Sequence, residues 1–137
     1  MLHSLRIAVF LLVCSELAVS VCLNGHPSIQ QEYKTARIIL VGKVVGHHEV
    51  PSSNWFDDGD VYEVVPARVF KGTNQQKLRL FSENNSGRFP MDINQQYLLF
   101  VSKVHGRLMV DSCGNSGDIT KAREAAAEVT KLAGNSK

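Results

Sequence analysis

Two cysteines bracket most of this chain, and that pair limits what it can fold into more than any other feature. A third, Cys14, falls in a segment that reads as a secretory signal. The start is positively charged through Arg6, residues 7–14 (IAVFLLVC) form an apolar run, and Ala18 and Ser20 place small side chains where a signal peptidase reads. The run is too short to span a bilayer as a mature anchor. A bacterial lipoprotein signal fits less well, because Val21 stands directly before Cys22. Cleavage after Ser20 removes Cys14 and leaves Cys22 and Cys113. An even pair in an exported chain predicts a disulfide. It would close a loop of roughly 90 residues, worth on the order of 4 kcal/mol in the chain-entropy model. The expectation is a signal peptide at 1–20 and a single domain at 21–137. The mature chain would be secreted, or exported to the periplasm if bacterial.

Behind the leader, Ser28 followed by Glu32 and Lys34 reads as a capped short helix over residues 28–36. Residues 37–45 (RIILVGKVV) are the clearest strand, with Gly42 marking a bulge or tight bend. Residues 46–59 are turn-rich and polar apart from Trp55 and Phe56, and predict a long loop. A second strand follows over 60–70, where Pro66 asks for an edge or bulge. Residues 77–81 alternate with a period of two, and 82–87 (SENNSG) read as a loop. Residues 97–104 and 107–111 form two more strands, joined by a tight His105-Gly106 turn. Residues 119–133 predict a helix, capped by Asp118 or Thr120, stopped by Gly134, and docked through Ala122, Ala126, Val129 and Ala133. Five short strands and a closing helix describe a small barrel better than a sandwich.

The constellations that could carry chemistry are weak. His47, His48 and Glu49 are adjacent, so they point in different directions in an extended chain and read as a solvated loop rather than a metal site. His26 and His105 could join them only through the fold. Asp57, Asp58, Gly59 and Asp60 resemble part of a calcium loop but lack the further ligands and the closing glutamate. Ser86-Gly87 and Ser116-Gly117 lack the frame of a nucleophile elbow. No catalytic residue, metal or cofactor is therefore expected, and the chain reads as non-enzymatic. A formal net charge of +2 gives no electrostatic case for nucleic acid. Asn84-Asn85-Ser86 forms a glycosylation sequon, relevant in a eukaryotic secretory route.

The order of these segments carries a resemblance. A cysteine opens the mature chain, residues 36–45 lead into a long loop, residues 62–72 (YEVVPARVFKG) and 96–101 (QYLLFV) follow, and Cys113-Gly114 closes the set. This order resembles the tissue inhibitors of metalloproteinases and the related netrin-like modules, from Cys22 to about Ile119. The resemblance implies an all-β core with flanking helices, specifically a five-stranded OB-type Greek-key barrel with a C-terminal α-helix, and no catalysis. Inhibitors of that family begin Cys-x-Cys. Their first cysteine chelates the protease zinc through its amine and carbonyl, and is held by a disulfide to a Cys-Gly before the "Y-L" strand. Here Ser20 and Ser86-Gly87 stand at those two places, and Pro27 lies further from Cys22 than the family's proline does. One bridge is absent at both ends and the other, Cys22 to Cys113, is kept.

The resulting expectation is a secreted protein-binding domain. Its rim would be formed by residues 21–27 and 82–89, centred on Val21, Cys22, Leu23, Ser86 and Gly87. Its partner would be an extracellular protein, with a zinc metalloproteinase as the specific candidate. The alternatives are an inhibitor that enters a protease cleft with residues 21–23, and a structural module of an extracellular assembly.

Overall fold

The structure, a computed structural model, describes residues 22–51 and 58–136. The expected signal segment at 1–20, Val21 of the expected rim, and Trp55, Phe56 and Asp57 of the expected loop lie outside the described residues. The chain runs α1 (Ile29–Thr35), β1 (Ile38–Val50), β2 (Gly59–Lys71), β3 (Leu78–Glu83), β4 (Gln96–Val104), β5 (Arg107–Val110), β6 (Gly117–Asp118) and α2 (Arg123–Gly134). Among the described residues it is a mostly β-sheet core, with one helix before the strands and one after them.

β1 pairs antiparallel with β2 along its length, and β2 pairs antiparallel with β3. β3 meets β5 in parallel at Phe81↔Met109, β5 pairs antiparallel with β4, and β4 returns antiparallel to the first half of β1. The pairing order of these five strands thus closes on itself, and β6 adds to β4 at Tyr97 and Leu98.

Two apolar clusters explain why the central strands read as continuous apolar runs. Ile38, Leu40, Val44, Tyr62, Val64, Leu78, Leu80, Tyr97, Leu99, Val101 and Val110 share one cluster. Ala36, Ile39, Leu98 and Phe100 form the other with Val129 of α2. Successive strand residues point to opposite faces, so β4 sends Tyr97, Leu99 and Val101 one way and Leu98 and Phe100 the other. Each such fully buried side chain contributes about 1.5–3 kcal/mol. Ala122, Ala125 and Ala126 surround Val129 on the docking face of α2, where small side chains let the helix approach the sheet. On α1, the Ser28 hydroxyl accepts from Gln31 N at 3.2 Å, and the Gln31 side chain accepts from Ser28 N at 3.0 Å, a reciprocal capping box. At its far end Lys71 Nζ donates to the Tyr33 and Lys34 carbonyls, satisfying acceptors that a helix end leaves open.

Several element boundaries differ from the sequence expectation. β1 continues to Val50, so His47, His48 and Glu49 lie on a strand and not in a loop. The register shift between Val44 and Gly46 interrupts the alternation there, and with outward polar side chains the segment loses its strand signature. The irregularity foreseen at Gly42 and Pro66 is present, with the two opposite each other beside a shift between Val41 and Gly42. A Cβ on Gly42 would come within 2.4 Å of Val64 Cγ1, which explains the glycine. β3 extends through Ser82 and Glu83, taken from the sequence as loop. β6 was not foreseen, being two residues long and held only by pairing to β4. α2 begins at Arg123, not Ile119. Asp118 spends its side chain on Thr120 N and Oγ1 in the preceding turn, and the N-cap is Ala122 without a side-chain cap. Gly134 is the last helical residue, with Asn135 as C-cap.

Candidate functional site

The predicted disulfide is present. Cys22 and Cys113 are bonded across a separation of 91 residues, with Cα atoms 5.7 Å apart. Around it the leader is tied down by polar contacts. Gly25 N donates to the Cys22 carbonyl at 2.9 Å, closing a turn in which Gly25 takes φ +70°. His26 Nδ1–H donates to the Cys113 carbonyl at 2.9 Å. Asn115 Nδ2 donates to the Pro27 carbonyl at 3.0 Å and to Glu32 Oε2 at 2.7 Å, and Asn115 N donates to the same carboxylate oxygen at 2.7 Å. One asparagine thereby locks leader, α1 and the segment after β5 together. Gly114 is the residue that allows it, since a Cβ there would meet Glu32 Oε1 at 2.1 Å. Burial raises the Glu32 pKa above its ordinary value, opposed by the Asn115 donors and helped by the nearby Asp111. On this fixed turn Leu23 is 92% exposed.

The other half of the expected rim is the segment after β3. Ser86 and Gly87 lie there, both exposed. Asn84 N donates to the Asp58 carbonyl at 3.0 Å, Gly87 N to Asn85 Oδ1 at 2.8 Å, and Phe89 N to Ser82 Oγ at 3.0 Å. Phe89 then packs edge-on to Tyr97, their ring centres 6.2 Å apart. Because β3 and β5 are parallel, both leave their pairing in the same direction. The Ser86 loop and Cys113, with Cys22 bonded to it, therefore follow strands that exit at one end. The loop's own hydrogen bonds run to Asp58, Asp60, Glu83 and Ser82.

What holds that loop is a cluster the sequence did not reveal. Asp60 is 5% exposed; its Oδ1 accepts from His47 Nε2–H at 2.8 Å and its Oδ2 from Arg88 Nη2 at 3.0 Å. The His47 ring stacks on Tyr62 with centres 4.9 Å apart. A buried carboxylate needs such partners, since desolvation without them is costly. The available signal was spacing on paired strands: His47 stands opposite Tyr62 and Glu49 opposite Asp60, which no local motif encodes. His48 turns elsewhere and accepts from Arg79 Nη2 at 3.3 Å. Asp60 accepts from Arg88 and His47, and together with Asp58, Glu49, Pro51, Asn84 and Arg88 it lines an open cleft of about 390 Å³. Among the described residues no three His, Cys, Asp or Glu side chains converge, and no helix is long and apolar enough to cross a membrane. No protein-family model matches the sequence, and no curated protein matches it.

Proposed function

We propose that this chain is an exported, non-enzymatic protein-binding domain whose closed strand order is an OB-type Greek-key barrel, of the kind found in tissue inhibitors of metalloproteinases and netrin-like modules. The observation that carries the reading is the pinned leader. A disulfide and two side-chain hydrogen bonds, from His26 to the Cys113 carbonyl and from Asn115 to the Pro27 carbonyl, fix residues 22–27, yet Leu23 points 92% of its surface to solvent. Nothing in folding requires an apolar side chain there. Burying a leucine at an interface yields about 1.5–3 kcal/mol, and a rigid turn loses little entropy on binding. The loop carrying Ser86 and Gly87 leaves from the same end and completes the rim.

A photo-crosslinking residue at position 23 tests this. It is expected to trap a defined extracellular protein that the same residue at the exposed Lys103 does not trap. The purified pair must then bind, and Leu23→Asp must weaken binding at least tenfold. A partner indifferent to that change overturns the rim assignment.

The second reading, inhibition of a zinc metalloproteinase through the mature N-terminus, is favoured by the same bridge, which would anchor an amine at Val21 one residue from a fixed cysteine. An α-amine with a pKa of about 7.7–8.0 is a serviceable zinc ligand near neutral pH. The serines at 20 and 86 argue against it. Adding one alanine before Val21 discriminates: it abolishes zinc-directed inhibition and leaves rim binding largely intact.

A further inference from the structure

We propose that Asn84 is the acceptor of an N-linked glycan rooted beside the Ser86–Gly87 loop, at the mouth of the cleft that Asn84 helps to line. The proposal rests on the export reading, since the modifying enzyme works beyond the membrane. Asn84-Asn85-Ser86 is a sequon, and no other asparagine of the chain has serine or threonine two positions on. All three residues are exposed, just past the end of β3.

The two neighbouring asparagines have different jobs. Asn85 is spent on the loop itself: its Nδ2 donates to Glu83 Oε2 at 2.6 Å and its Oδ1 accepts from Gly87 N at 2.8 Å. Modifying Asn85 would dismantle the turn. Asn84 is held through its backbone, N to the Asp58 carbonyl at 3.0 Å, while its Nδ2 meets Asp58 Oδ2 at a long 3.4 Å. At that distance the contact is marginal, so the carboxamide can take a substituent without loss of the loop's own bonds. The sugar nearest the protein would sit at the mouth of the cleft lined by Glu49, Asp58 and Arg88. Those groups offer donors and acceptors to its hydroxyls.

The chemistry balances with a lipid diphosphate-linked oligosaccharide as donor. Asn84 Nδ2 attacks the anomeric carbon, the C–N bond forms as the C–O bond to the diphosphate breaks, Nδ2 gives up one proton, and the lipid diphosphate departs with the bonding pair. The chain itself supplies only the acceptor.

The test is secretion from a glycosylating eukaryotic host, once with the chain's own residues 1–20 as signal and once with a heterologous signal. With the heterologous signal, the secreted protein is expected to carry a mass increment removed by peptide-N-glycosidase, with Asn84 converted to Asp. Ser86→Ala and Asn84→Gln should each abolish the increment, while Ser86→Thr keeps it. The Ser86 variants change no asparagine contact, so they stay informative if Asn84→Gln folds poorly. Unmodified protein in the medium overturns the glycan. Failure of the chain's own residues 1–20 to direct secretion, with glycan present under the heterologous signal, overturns the export reading and upholds Asn84 as an acceptor.

Discussion

Replacing Cys22 and Cys113 together by alanine should remove about 4.6 kcal/mol of stability. The separation of 91 residues sets the magnitude. In the chain-entropy model a cross-link of that span restricts the unfolded ensemble by about 15 cal/mol/K, or about 4.6 kcal/mol at 25 °C. The folded side should change little, because Cys22 is only half-buried and both apolar clusters lie elsewhere. Domains of this size have about 5–15 kcal/mol in total, so the variant retains about 0.4–10 kcal/mol and is barely folded only at the low end of that range. Urea unfolding followed by far-ultraviolet circular dichroism measures the loss. With m of about 1–3 kcal/mol/M, the midpoint should drop by about 1.5–4.5 M. The slope m should rise as well, since the uncrosslinked unfolded chain exposes more surface. A loss under about 1 kcal/mol with m unchanged would refute the reasoning, because the bridge would then not be constraining the unfolded chain.

Three further outcomes follow from single positions. Asp60→Asn should cost about 1–3 kcal/mol, reduced from the figure for a fully buried pair because His47 and Arg88 are partly solvated; amide hydrogen exchange should quicken at Phe89 and its loop, and unchanged exchange there would show that Arg88 does not hold it. Glu32 has a raised folded pKa, so the folded state binds its proton more tightly than the unfolded chain. Its contribution is fully present below the unfolded carboxyl's pKa and is lost as pH rises through the higher folded value; chemical denaturation at stepped pH should show that fall shrink in Glu32→Gln, and a difference curve that is flat there contradicts the assignment. Gly72→Ala should lose at least about 2 kcal/mol by thermal unfolding, because φ is +83° and a Cβ would stand 1.9 Å from the Arg37 carbonyl oxygen.

Much of the fold was legible because its signals are local. The serine cap at Ser28, the His105-Gly106 turn with φ of +47° and +81°, and the strand at β4 each announce themselves within a few residues, whereas the reciprocal partner Gln31 and the burial of both faces of β4 came only with the structure. The disulfide was legible for a different reason: under the expected export, cleavage leaves two cysteines and one pairing. What stayed hidden depends on distant partners. β6 exists only against Tyr97 and Leu98, and the polar end of β1 is a strand because β2 supplies its backbone hydrogen bonds.

The same division runs through the site. Leu23 and the sequon at Asn84 could be read from the chain, but the group that positions the loop after β3, the second half of the proposed rim, could not. Asp60 looks like one acid among several in an acidic turn, and its burial between His47 and Arg88 emerges only when β1, β2 and the loop after β3 meet. The proposed rim is thus fixed at two anchors of different chemistry. The leader is bound covalently at Cys113 and relies little on charge, whereas the loop hangs on a buried carboxylate and two partly exposed cationic or neutral donors. Reduction should therefore loosen the Leu23 side while the Ser86 side keeps its place, and Asp60→Asn should do the reverse. A partner that grips both halves would lose affinity under either change; one that reads Leu23 alone would respond to reduction and ignore Asp60. That comparison assigns the binding energy to one anchor or to both, which the shared exit of β3 and β5 does not do by itself.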